Sequence, residues 1–250
     1  NDGRLKPEVV AAGCQTGGDG GITSTFPGNV YGVYCGTSMA TPAVSGLVAL
    51  LRQHYLSLNL SGSFLPSTAK AVLAHSATDL GNAGPDYKYG YGSISAPAAK
   101  ALIGGGAIVQ GALLPGGSST RTVTVPAGSS ELKVTLAWAD KEAVENAAIT
   151  LVNALDLVVT DPSGNRRYPW RLDPASPSAA ATTAADHTNP LEQVRAGNPW
   201  IWRTYFWDHK PLFDSILCAQ GYYLAFMDAP DLFGAPVAIL IDPAERIAEL

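Results

Sequence analysis

The residues whose types and order could do chemistry are Gly36-Thr37-Ser38-Met39-Ala40-Thr41-Pro42. They open an apolar run in which Ala43, Val44, Leu47, Val48 and Leu51 recur at helical spacing, so the sequence predicts a buried helix ending near Leu51. Ser38 then lies at or just before the first turn, where unpaired N–H groups and the positive end of the helix dipole stabilise negative charge. A serine nucleophile needs that setting in acyl transfer. Its hydroxyl attacks a carbonyl carbon, and its own N–H donates to the developing oxyanion. Ala40, Ala43 and Gly46 allow close packing on one side, and Pro42, which bonds no backbone N–H, should bend the helix away from the site. A Gly-Thr-Ser tripeptide by itself says only that a helix begins.

The elements that must position this serine are bounded by composition. A chain of 250 residues fits one large or two small domains, and 46% hydrophobic against 15% charged residues excludes extensive disorder. The net charge of −5 argues against a nucleic-acid partner that needs a basic face. No apolar run approaches the roughly 18 to 20 residues that span a bilayer. The chain opens on Asn1, in the middle of a motif and without a signal-peptide pattern, which reads as a fragment or a processed piece.

Three cysteines, Cys14, Cys35 and Cys218, cannot make a disulfide framework. Ile22–Phe26 and Val30–Tyr34 read as a hairpin turning through Pro27-Gly28-Asn29, and counting outward from that turn brings position 21 opposite Cys35. If the glycine-rich loop 17–21 folds out, Cys14 reaches Cys35. Two readings stay open: a bridge, which implies an oxidising compartment, or two buried thiols. The loop itself is no phosphate cradle, since no Lys-Ser/Thr follows it.

Beyond Ser61–Pro66, Ser67 caps a second helix running to about Ala77 with His75 inside it, and Ser95 and Pro97 start a third. Gly104-Gly105-Gly106 marks a domain boundary. Strand periodicity follows in Ala107–Leu113, Thr120–Val125, Glu131–Trp138, Leu155–Thr160 and Leu191–Val194. Leu132, Val134 and Leu136 alternate with Lys133 and Thr135, and many short alternating strands predict a β-sandwich.

The seven residues 36–42 resemble the serine motif of the subtilisin-like (subtilase) serine peptidases. Asp2-Gly3-Arg4-Leu5-Lys6-Pro7-Glu8-Val9-Val10-Ala11-Ala12-Gly13 is similar to the same family's strand and turn, Thr23–Asn29 to its next hairpin, Ala77-Thr78-Asp79-Leu80-Gly81 to its helix end, and Tyr89-Gly90-Tyr91-Gly92 to the turn before its last helix. Leu151-Val152-Asn153-Ala154-Leu155-Asp156-Leu157, Asp161-Pro162-Ser163-Gly164-Asn165, Asp186–Asn189 and Glu192-Gln193-Val194 resemble a jelly-roll domain appended to some secreted subtilases, with Ala154 in place of an acid and Pro190 interrupting the pattern.

The resemblance implies two parts. Residues 1–103 would be the C-terminal part of an α/β, parallel-sheet peptidase domain, and residues 107–250 an all-β, jelly-roll-like sandwich. It implies a secreted endopeptidase acting on polypeptides through an acyl-enzyme on Ser38, with no cofactor required for the chemistry. In this family the order is Asp, His, then Ser, with an oxyanion Asn between His and Ser. These partners would precede Asn1, in a missing N-terminal part of the catalytic domain. None of His54, His75, His187 and His209 stands in a matching motif. Without that part, apolar surface around Val44, Leu47, Val48 and Leu51 should be bare. Structural calcium on Asp156, Asp161, Asp173 and Asp186 is a further expectation from secreted subtilases, against the plain reading of each as a turn residue.

Two other classes compete with the enzyme: a sandwich serving as a binding module beside a degenerate peptidase domain, and a structural piece held by an N-terminal partner chain. The intact Gly36-Thr37-Ser38 favours the enzyme, because a dead one has no need of that serine. The aromatic-rich segment from Trp200 to Phe233 reads either as a stacking platform for carbohydrate or unfolded polypeptide, or as sandwich core.

Overall fold

The computed structural model describes residues 2–14, 20–60, 62–126, 129–197, 221–227 and 236–242. The Trp200–Trp207 segment, His209, Cys218 and most of the glycine loop lie outside the described residues.

The hairpin forms where the sequence places it. β1 (Ile22–Phe26) pairs antiparallel with β2 (Val30–Tyr34) in the register Ile22↔Tyr34 to Phe26↔Val30, and Asn29 at φ 61° with Gly28 at φ 88° makes the turn. α1 (Thr37–Ser57) follows and runs six residues past the expected end at Leu51. The reason is its buried stripe, Leu47, Leu51 and Tyr55, which continues at four-residue spacing through the polar Arg52-Gln53-His54. The helix is continuous through Pro42.

α2 (Pro66–Ser76) starts two residues earlier than expected. Leu65 is its N-cap, Pro66 occupies the first turn, and Ser67, expected as the cap, is inside the helix. α3 (Ala96–Gly104) is capped by Ser95, whose Oγ accepts from the Ala98 amide at 3.4 Å. These three helices share one core built on Leu47, Leu51, Tyr55, Val72, Leu102 and Ile103. The parallel sheet expected for residues 1–103 is reduced, among the described residues, to one parallel bridge between Val10 and Ser93.

The second part consists of β3 (Ile108–Ala112), β4 (Thr120–Thr124), β5 (Glu131–Trp138), β6 (Asp156–Thr160), β7 (Arg166–Arg167), β8 (Trp170–Arg171), β9 (Thr182–Thr183), β10 (Leu191–Gly197), β11 (Gly221–Met227) and β12 (Pro236–Asp242). Two four-stranded antiparallel sheets, in the orders β10-β5-β12-β3 and β4-β11-β6-β7, face each other across a core of Leu132, Val134, Leu136, Trp138, Leu157, Val159 and Val194. Trp138 is fully enclosed and donates its indole N–H to the Asn153 carbonyl at 2.8 Å.

β5 is buried on both faces, which its alternation does not announce. Leu132, Val134, Leu136 and Trp138 point into the sandwich, while Thr135 and Ala137 point at α2. Thr135 Oγ1 lies 2.9 Å from His75 Nδ1, and Lys133 Nζ donates to the His75 carbonyl at 3.1 Å. The helical part therefore packs directly on one sandwich sheet. Hydrogen bonds from the Leu5 amide to Asn189 Oδ1 (2.7 Å) and from Thr150 Oγ1 to Asp2 Oδ2 (2.7 Å) add to that contact.

Candidate active site

Ser38 is the second residue of α1, and its side chain faces solvent. Gly36 is the N-cap at φ 148° and ψ 175°, a left-handed conformation that disfavours any residue with a Cβ. No side chain caps the helix and no acidic residue sits in its first turn. The Gly36 carbonyl accepts from the Met39 and Ala40 amides at 3.0 and 3.4 Å. The first-turn N–H groups of Thr37 and Ser38 lack intrahelical partners by geometry, and they stay open to an external negative charge. Pro42 stands four residues after Ser38, so the Ser38 carbonyl has no intrahelical donor either. Thr41 Oγ1 turns back onto the Thr37 carbonyl at 2.9 Å, away from this opening.

The approach to Ser38 is fixed from upstream. The Gly36 amide donates to the Gly13 carbonyl at 2.8 Å. A Cβ on Gly13 would strike the Gly36 carbonyl and come within 3.2 Å of the Ala40 Cβ, so only glycine fits. Cys14 and Cys35 are joined in a disulfide with their Cα atoms 4.7 Å apart, at the foot of the hairpin.

The other residues of the sequence motif fall into supporting positions. Thr37 starts the helix, Met39 and Ala40 are half-buried, and Thr41 and Pro42 are exposed. No described histidine pairs with Ser38: His54 is in the last turn of α1, His75 is buried against Thr135, and His187 Nδ1 lies 3.6 Å from Asp156 Oδ1. The site therefore presents an exposed serine hydroxyl beside open first-turn N–H groups, and no histidine beside it among the described residues.

The surface expected to be bare is shifted around α1. Leu47 and Leu51 are buried and Val44 and Val48 half-buried, whereas Ala43, Gly46, Ala49 and Leu50 are exposed, Leu50 by 64%. The large residues had a partner within the chain, in α2 and α3. Ala43, Gly46, Ala49 and Leu50 face outward instead.

Three of the four aspartates considered for calcium are engaged within their own turns. Asp161 accepts from the Ser163 and Asn165 amides within its own turn, Asp173 from the Ala175 amide, and Asp186 from the Thr188 amide and Asn189 Nδ2. Each holds its own turn, and among the described residues no group of three or more His, Cys, Asp or Glu is placed to hold a metal. Sequence reasoning named Glu192 within Glu192-Gln193-Val194 but gave it no role. It is fully buried, its Oε2 accepts from the Leu157 amide at 2.7 Å, and burial pushes its carboxyl well above the usual range, with Asp186 and Asp156 adding to the shift. Its position in Leu191-Glu192-Gln193-Val194, an acid within a strand run, was the only signal.

Among the described residues no helix is long and apolar enough to cross a membrane.

Comparison with known proteins finds its matches in the segment that carries Ser38. The family model described as "Subtilase family" matches residues 1–92. Alkaline elastase YaB of Bacillus sp. (strain YaB) is 37% identical over 92 residues, which are 37% of this chain and 20% of that protein. Subtilisin E of Bacillus subtilis (strain 168) is 41% identical over 78 residues, 31% of this chain and 18% of the relative. Subtilisin DY of Bacillus licheniformis is 36% identical over 92 residues, 37% of this chain and 28% of the relative. The matched residues span between 18% and 28% of the length of these curated relatives. Residues 1–92, which include Ser38 and its whole motif, match the subtilase family model and are similar to these subtilisin-like serine peptidases.

Proposed function

We propose that this chain supplies the nucleophile-bearing part of a secreted serine endopeptidase. Ser38 Oγ attacks the scissile carbonyl of a polypeptide. Its proton passes to a histidine base, the amine leaves with a proton returned by that base, and water releases the acyl group from Ser38. The Ser38 N–H, at an uncapped helix start, donates to the oxyanion. No cofactor enters this chemistry.

The single observation that carries the reading is the placement of Ser38. It is exposed at the open N-terminus of α1, in a loop pinned by Gly13 and by the Cys14–Cys35 disulfide, within the matched segment. The base, its aspartate and a side-chain oxyanion donor come, in this reading, from a part of the catalytic domain that precedes Asn1. That part also covers the small-residue face of α1 at Ala43, Gly46 and Ala49, as parallel sheet covers a helix. Residues 107–250 would be the jelly-roll-like domain, and the disulfide suits an extracellular setting.

Peptide hydrolysis by the enzyme that contains this chain tests the reading. Ser38→Ala is expected to lower kcat on the order of 10⁶, the loss known for the subtilisin nucleophile, with the melting temperature unchanged. Hydrolysis retained near the unmodified rate would remove Ser38 from the role.

A further inference from the structure

A cavity of about 520 Å³ lies between the helical part and the sandwich, away from Ser38. Its volume is in the range of small-molecule sites, and its walls combine Trp138, Val144, Leu151 and Pro190 with Arg4 and Lys70. The N-terminus of α2 reaches it through Pro66 and Ser67. That end has no side-chain cap and no acid in its first turn, so the amides of Ser67 and Thr68 keep their donor capacity. Ser67 lines the cavity, is only 1% exposed, and its hydroxyl has no partner in the protein. A buried hydroxyl left unpaired costs free energy that a ligand or a water would recover.

We propose that this cavity binds a carboxylate carried on an apolar body, with the carboxylate at the Ser67 amide and hydroxyl, and the apolar body against Val144, Leu151 and Pro190. A helix N-terminus favours an anion. The charges argue for one negative charge rather than two. Arg4 already pairs with Asp2 and Lys70 with Glu8, and Asp140 and Glu142 outnumber Lys141 on the wall, which disfavours a second negative charge. Two sources share this chemistry, a free N-acylated amino acid and the C-terminal residue of a peptide. The site does not depend on the reading of Ser38.

The test is titration of the folded chain, followed by amide chemical shifts, with N-acetyl-leucine, N-acetyl-leucinamide, a short peptide ending in leucine, and the same peptide amidated. Both acids should shift Ser67, Thr68 and Lys70 in the millimolar range or below, and both amides should leave them unmoved. Stronger binding of the peptide acid assigns the site to a peptide end, and equal binding assigns it to the terminal residue alone. Ser67→Ala should weaken acid binding about tenfold while the melting temperature holds, because the hydroxyl has no protein partner to lose. Ser67→Asp, which brings its own carboxylate, should abolish it. Amides that bind as well as acids, no shift at Ser67 with either acid, or undiminished binding by Ser67→Ala would overturn the proposal and leave water as the occupant.

Discussion

Gly36 donates its amide to the carbonyl of Gly13 at 2.8 Å, and each of these glycines is covalently followed or preceded by a cysteine of the Cys14–Cys35 bridge. A hydrogen bond and a disulfide thus act side by side, two residues before Ser38. The chain entering α1 is fixed at both strands of the hairpin foot, which sets the direction in which the first-turn amides point.

Gly13→Ala tests that tie. The new Cβ would run into the Gly36 carbonyl, a backbone atom that cannot move without displacing the start of α1. We expect a loss of about 2 kcal/mol or more in stability, and a fall in hydrolysis by the active enzyme larger than the loss of folded protein explains. Denaturant unfolding together with kcat/KM measures both. Unchanged values for both would show that the close approach is not needed.

Breaking the bridge should act mainly through the unfolded chain. The two cysteines are 21 residues apart, and a closed loop of that size is worth about 3 kcal/mol. The double variant Cys14→Ser/Cys35→Ser should lose stability of that order in urea, and the unreduced digest of the parent should contain the linked peptides. Free alkylation of both thiols in oxidised protein would contradict the bond.

The bare face of α1 gives opposite expectations in two settings. A Cβ on Gly46 meets nothing within 4 Å, so in the chain by itself Gly46→Ala should stabilise by roughly 0.5 to 1 kcal/mol through helix propensity. Where sheet covers that face, the same methyl group is in the way, and the substitution should reduce activity. Stabilisation and full activity together would mean that nothing packs at Gly46.

Glu192 makes the sandwich sensitive to alkali. Its folded pKa lies well above the ordinary 4.5, because burial and the neighbouring Asp186 and Asp156 disfavour the charge. The folded state therefore holds a proton that the unfolded state releases. The stabilisation is complete below the unfolded pKa and is lost as pH rises from there through the folded pKa. Asp156, raised by burial and by Asp186 although His187 opposes it, acts in the same direction. Glu192→Gln keeps an acceptor for the Leu157 amide and cannot ionise, so it should flatten the fall of melting temperature with pH and exceed the parent at the alkaline end. Parallel pH profiles for the two proteins would show that Glu192 does not titrate in this window.

How far the sequence carried these conclusions depends on whether the cause was local. The hairpin was legible because Pro27-Gly28-Asn29 makes a turn by its own backbone preferences, and β5 because Leu132, Val134 and Leu136 repeat at the strand period. The start of α1 was legible from Gly36 and the apolar spacing after it. Its end was not, because Tyr55 belongs to the buried stripe only once α2 and α3 are in place. Thr135 and Lys133 showed in the sequence only as the polar half of the alternation, and in the fold they meet His75. Ser67 looked like a cap, but Pro66 is better suited to the first turn and displaces it inward. The bare side of α1 was misplaced for the same reason: periodicity shows which residues are apolar, and only the packing decides which neighbour covers them.

The central claim is that Ser38 is a nucleophile, and covalent labelling tests it most directly. The active enzyme containing this chain should be inactivated by a fluorophosphonate, with one adduct per molecule found by mass spectrometry on the peptide that carries Ser38. Ser38→Ala should take up no label and hydrolyse no peptide. An adduct on another serine, or an inactivated enzyme whose Ser38 peptide is unmodified, would contradict the account.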